Sequence, residues 1–176
     1  FPTRRSSDLL LYNHGLPRPV YWVLWLWQRL RGEVLVNDKR VLLTRHRNGY
    51  QLLLRNVVVF NPLLSSEEAF IQRFRQQYHL HLKGMRGKWR IKCHLFDQHN
   101  GALYPLLEGV GSESGPDEEM WRWIAHKARP TLSVRDERLY DGWQLSESLE
   151  SNALVLYEFT PLVPRETATE EIHSPR

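Results

Sequence analysis

Ser65-Ser66-Glu67-Glu68-Ala69-Phe70-Ile71-Gln72-Arg73-Phe74-Arg75-Gln76-Gln77-Tyr78-His79 is the stretch whose reading sets the rest of the chain. Ser65 is placed to cap a helix, and Glu68, three residues on, can close a capping box. Ile71, Phe74 and Tyr78 then recur at spacings of three and four, which gives one apolar face. The spacing predicts a helix from about residue 66 to 79, with Glu67 and Glu68 as first-turn partners of its dipole.

Strand signals surround it. Upstream, Glu33 to Val36 and Val41 to Thr44 flank an Asn37-Asp38 turn and read as a hairpin. Tyr50 to Leu54 and Val57 to Phe60 read as further strand, before Asn61-Pro62 breaks the run. Downstream of the Gly84/Gly87 loop, Lys88-Trp89-Arg90-Ile91-Lys92-Cys93 alternates, with basic side chains on one side and Trp89, Ile91 and Cys93 on the other. Asn100-Gly101 predicts a turn into a strand over Ala102 to Leu107, and Leu154 to Tyr157 a last strand. Asp117-Glu118-Glu119 either opens a short helix or leads into a strand at Trp121 to Ile124. The pattern predicts an α+β fold: a single domain with a mixed or antiparallel sheet and flanking helices. Its expected core includes Trp22, Val34, Leu42, Phe60, Phe74, Trp89, Ile91, Leu106, Trp123 and Leu156.

The chain divides into four spans. Residues 1–9, Phe-Pro-Thr-Arg-Arg-Ser-Ser-Asp-Leu, resemble the translation of a sequencing adapter, which implies an assembly scar on a metagenomic fragment and a natural N-terminus left out. Residues 10–32 hold an apolar helix or strand, since Val20 to Trp27 is apolar throughout yet far short of the roughly 20 residues of a bilayer span. Residues 33–160 form the globular domain, and the polar, proline-bearing 161–176 a disordered tail. A length of 176 residues suits one domain. The single cysteine, Cys93, excludes an intramolecular disulfide and points to a cytoplasmic protein. The net charge of +4 conceals a division. Residues 1–100 carry 17 lysines and arginines against 6 acids, and residues 101–176 carry 7 against 14.

Candidate chemistries are few. His79, His81, Cys93 and His94 are zinc-type ligands, but the paired spacings of zinc sites are absent and Cys93 and His94 point to opposite strand faces, so no metal is expected. No glycine elbow surrounds a serine and no glycine-rich phosphate loop is present, so no catalytic residue is assigned and no cofactor is expected. Arg86, Lys88, Arg90 and Lys92 are the candidates for contact with nucleic acid, within a basic segment spanning residues 73–92.

The order of hairpin, strand, helix, strand and acidic loop, with the unbroken Ser65 to Ile71 lead-in and Glu118-Glu119 before Trp121, resembles the Nudix hydrolase family over residues 33–126. The resemblance implies an α/β/α sandwich and metal-dependent hydrolysis of nucleoside diphosphate derivatives. The family's motif is not kept. Its first glycine and glutamate fall on Val58 and Leu64, its arginine–glutamate pair on Gln72 and Arg73, its paired glutamates on Gln76 and Gln77, and its last glycine on His79. Glutamine is no anionic ligand for a hard cation. The resemblance therefore implies a degenerate module without turnover, binding a nucleotide-type ligand or a protein partner, with Gln72, Arg73, Gln76 and Gln77 as its ligand-pocket candidates. The alternative is a nucleic-acid-binding or regulatory accessory domain built on the segment 73–92.

Overall fold

Alternation with a period of two organises more of this chain than helical periodicity does. The computed structural model describes residues 10–11, 15–59, 68–108 and 115–162. The adapter-like span 1–9 and nearly all of the predicted tail lie outside the described residues. In chain order the elements are α1 (Pro19–Trp27), β1 (Glu33–Asn37), β2 (Val41–His46), β3 (Gly49–Arg55), α2 (Glu68–Arg73), β4 (Gln76–Leu82) and β5 (Gly87–Phe96). Then follow α3 (Tyr104–Glu108), α4 (Glu118–Lys127), β6 (Thr131–Leu139), β7 (Trp143–Leu149) and β8 (Leu154–Pro161). The fold is α+β, with one six-stranded sheet in the order β1-β2-β3-β8-β5-β6 and a two-stranded sheet β4-β7. Among the described residues every strand pair is antiparallel.

Successive side chains of a strand point to opposite faces, so the large sheet has two separate cores. One face carries Leu52, Leu54, Ile91, Val155, Tyr157 and Phe159, and packs against Tyr78, Trp143 and Leu149 of the small sheet. The other carries Leu42, Leu53, Phe96, Leu154 and Leu156 and is covered by Trp22 and Leu26 of α1. The layers therefore run helix, sheet, sheet, in place of the expected helix, sheet, helix. α1 opens with Pro19 in its first turn, where a missing N–H costs nothing. Its residues Trp22 and Leu26 lie one turn apart on the inward face.

The predicted helix over 66–79 divides in two. Among its described residues Glu68–Arg73 is helical, and from Gln76 the chain is strand. Tyr78, Leu80 and Leu82 turn inward while Gln77, His79 and His81 face outward, and the strand pairs in register with β7 from Gln76↔Leu149 to Leu82↔Trp143. Tyr78 fits both periods. Burial against β7, together with its hydroxyl donating to the Arg55 carbonyl at 2.8 Å, selects the strand. The capping serines, Ser65 and Ser66, lie outside the described residues.

Other expectations change for similar reasons. Asn100-Gly101 does turn the chain, but the segment after it forms α3, not a strand. Val57 to Val59 is not strand, and Phe60 lies outside the described residues. The Asp117 side chain caps α4 by accepting from the Met120 N–H, and Glu118-Glu119 begin its first turn, so this ambiguous stretch is helical. Trp22, Leu42, Trp89, Ile91 and Leu156 are buried as expected. Val34 is exposed because β1 is an edge strand, Leu106 is only half-buried, and Trp123 lies on the outer side of α4, where Ile124 takes the buried place. Phe74 is exposed at the end of α2. β6 went unread because it is an edge strand with little apolar alternation; its outward charges are what such an edge requires.

Two local devices fix the sheet ends. Gly49 has φ 138°, and a Cβ there would lie 1.8 Å from the Phe159 carbonyl oxygen, so the β2–β3 turn can close onto β8 only with glycine. Asn56, at the end of β3, donates through Nδ2 to the carbonyls of Phe74 (2.6 Å), Leu149 (3.1 Å) and Glu150 (2.9 Å), tying both sheets and the end of α2 together.

Candidate functional site

α1 covers only the apolar half of its sheet face. Beyond Leu53 and Leu156 the same face continues with polar residues: Thr44 on β2, Gln51 on β3, Glu158 on β8, and Lys92 and His94 on β5. The chain leaving α1 passes above them as Gln28 to Arg31. Between the two lies a cleft of about 620 Å³, within the range of small-molecule sites.

Its floor is a joined network. Gln51 is almost fully buried; its Nε2 donates to the Arg29 carbonyl at 2.6 Å, and its Oε1 accepts from the Arg31 N–H at 2.7 Å. This pair of bonds makes Gln51 a mould for the backbone that ends α1. Glu158 Oε2 receives His94 Nε2 at 3.2 Å and Arg29 Nη2 at 3.4 Å. Arg29 in turn lies 4.4 Å from the centre of the Trp25 ring, and Trp25 meets His94 edge-on at 5.3 Å. The hydrogen bond from His94, aided by the Arg29 charge and opposed by burial, holds the Glu158 carboxyl down at about 2. It is therefore a fixed anion at any physiological pH.

A second polar contact sits in the opposite core. The buried Tyr157 hydroxyl donates to Glu147 Oε2, and Cys93 lies beside it. Burial raises both the Tyr157 hydroxyl and the Cys93 thiol above their ordinary values. Both stay protonated near neutrality, which makes Cys93 a packed thiol and not a nucleophile.

The residues singled out from sequence scatter. Gln72 and Arg73 are exposed on α2, while Gln76 and Gln77 belong to β4. Arg73 and Gln76 share a hollow of about 430 Å³ with Arg40, Asn56 and Arg75; Gln72 and Gln77 do not line it. The basic segment is likewise divided, since β4 and β5 belong to different sheets. Arg86 lies in the turn between them, where its carbonyl accepts from Trp89 Nε1. Lys88 stands opposite Arg138, and Arg90 is clasped by both oxygens of Asp136 at 2.9 and 3.1 Å. Lys92 alone of the four enters the cleft. His79 and His81 bond Ser146 and the Asp141 carbonyl, and among the described residues no group of three His, Cys, Asp or Glu is placed to hold a metal ion.

Gln51, Glu158, Arg29 and Arg31 were missed, and His94, weighed only as a zinc-type ligand, was not joined to them. One signal was available: Leu154-Val155-Leu156-Tyr157-Glu158-Phe159 is apolar at every position but one, and a lone carboxylate on a central strand needs a partner. Glycoside and similar hydrolyses use two carboxylates across a cleft. Here, among the described residues, Glu158 is the only acidic residue in the lining, and it is already committed to two donors. The arrangement suits binding better than proton transfer.

No family model matches the chain. It is 27% identical, over 154 residues, to uncharacterised HTH-type transcriptional regulators of Staphylococcus aureus strains COL and N315, covering 87% of this chain and 21% of each regulator. The chain thus spans about a fifth of the length of these curated relatives. In fold it is similar to a monomeric β-xylosidase from Caulobacter crescentus, with a TM-score of 0.74 at 14% identity, over 88% of this chain and 33% of that one. A GH39 enzyme from Xanthomonas axonopodis pv. citri gives a TM-score of 0.70 at 13% identity, over 87% of this chain and 32% of that one. These neighbours, glycoside hydrolases in fold and HTH-type regulators in sequence, overturn the expectation of a degenerate Nudix-like nucleotide module. The basic segment 73–92 behind the alternative, a nucleic-acid-binding or regulatory accessory domain, is divided, because β4 and β5 belong to different sheets.

Proposed function

We propose that this chain is a β-sandwich module of a longer HTH-type regulator, where it supports a neighbouring glycosidase-like module and is not itself a hydrolytic centre. The single observation behind this reading is the state of Glu158: it is held ionised by His94 and Arg29, and among the described residues no second carboxylate lines the cleft to complete a glycosidase pair. The coverage figures agree with a part-length module, a fifth of the regulators and a third of the xylosidase. The name HTH implies two helices joined by a turn of three or four residues, and among the described residues no two helices are joined so closely. DNA reading would then belong to another part of the regulator, and the cytoplasm is where such a protein works. Among the described residues no helix is long and apolar enough to cross a membrane.

The test is to incubate the purified chain with p-nitrophenyl β-xyloside, beside Glu158→Gln. The expected result is release of nitrophenol at the buffer rate from both proteins. Turnover by the chain that Glu158→Gln abolishes would overturn the proposal.

A further inference from the structure

The cleft beneath Gln28 to Arg31 is unevenly charged. Arg29, Arg31, His46 and Lys92 line it against the one carboxylate, Glu158. Arg29 is matched with Glu158, yet its Nε is buried without a hydrogen-bond partner. Arg31 and Lys92 have no ion-pair partner among the described residues. His46 accepts the Asn48 N–H at Nδ1, which leaves Nε2 as its N–H donor. Uncharged polar side chains, Gln28, Asn48 and Thr160, complete the rim. Phe159 contributes backbone only, because its ring is packed between the sheets, so no aromatic face is offered to a nucleobase.

We propose that this cleft binds an anionic saccharide, a sugar ring carrying a carboxylate or a phosphate. The anion sits between Arg31 and Lys92, whose donors are unspent, and the ring hydroxyls bond Asn48, Thr160 and Gln28. Two fixed cations facing one unneutralised anion supply the affinity, and the amides and hydroxyl supply selection for a polyol over a bare ion. Glu158, which stands opposite Lys92 in the β5–β8 register, is the counter-charge of Arg29, so Arg31 and Lys92 carry the surplus positive charge of the cleft. The inference rests on the cleft alone and does not depend on the module's place in a longer chain.

Isothermal titration calorimetry of the chain tests it with glucuronate, glucose 6-phosphate, uncharged xylose and inorganic phosphate. One of the two anionic sugars is expected to bind at least tenfold more tightly than xylose and than inorganic phosphate, and which one identifies the anion. The binding should fall tenfold or more in Lys92→Ala, survive in Lys92→Arg, and weaken as salt is raised. Thermal melts matching the unsubstituted chain establish that both variants are folded. Xylose binding as tightly as the anionic sugars, inorganic phosphate matching them, neither sugar binding, or Lys92→Ala leaving affinity unchanged would each overturn the proposal. Sugar binding together with xyloside turnover would overturn the non-hydrolytic reading alone.

Discussion

His94 Nε2 stands 3.2 Å from Glu158 Oε2, on adjacent strands of the helix-covered sheet face, with Arg29 reaching the same oxygen from the end of α1. An acid on a central strand is tolerable only because these two donors meet it there. The contact binds the end of α1 to the sheet, and it sets how the domain responds to acid.

Glu158 titrates at about 2 in the folded chain against an ordinary 4.5. The folded state therefore binds this proton less readily than the unfolded state. The stabilisation is complete above about pH 4.5 and is lost as pH falls towards 2, amounting to roughly 2 kcal/mol once solvent screening is allowed for. Urea melts of the chain and of Glu158→Gln should differ by about this amount at pH 7, and most of the gap should be gone by pH 3. A gap independent of pH would disprove the assignment.

Leu26 is fully buried between α1 and the sheet beside Trp22, Leu53 and Leu156. Leu26→Ala should cost about 2–5 kcal/mol, the range for large-to-small changes in a packed core. The readout is the urea midpoint at unchanged slope. A loss below roughly 0.5 kcal/mol, the scale of surface substitutions, would mean that α1 is not an integral layer.

Asn56 spends its amide on three carbonyls from α2's end and the β7–β8 corner. Asn56→Ala removes the donor and should cost about 1–3 kcal/mol, as buried acceptors go unsatisfied. Asn56→Asp turns a carboxylate oxygen towards those carbonyls and should cost more than alanine does. Differential scanning calorimetry of the two variants checks the order, and an aspartate variant melting above the alanine one would contradict it.

How much of this was legible beforehand varies residue by residue. Lys88 to Cys93 declared its two faces, because alternation along one strand needs no partner to be read, and Trp89 and Ile91 are buried as that pattern requires. The β1–β2 hairpin was equally plain, its turn carrying Asp38, whose carboxylate accepts the Arg40 and Val41 N–H groups. Gln76 to Leu82 misled, since Tyr78 satisfies a spacing of four from Phe74 and a spacing of two to Leu80. The site was the least legible part. Arg29, Gln51, His94 and Glu158 come from four separate segments, and no local spacing joins them.

The amino-acid sequence by itself determined which segments alternate, which glycine and asparagine positions turn the chain, and that the apolar run Val20 to Trp27 is too short for a bilayer span. Those are properties of neighbours along a chain, set by side-chain direction and backbone sterics. Only the tertiary structure decided that Gln76 to Leu82 is a strand, that α1 lies on one face of a six-stranded sheet, and that Glu158 meets His94 and Arg29 beneath an open cleft. The physical reason is range. Strand pairing and ion pairing gain their energy from partners up to 129 residues distant in sequence, as for Arg29 and Glu158, and no local pattern encodes which partner arrives.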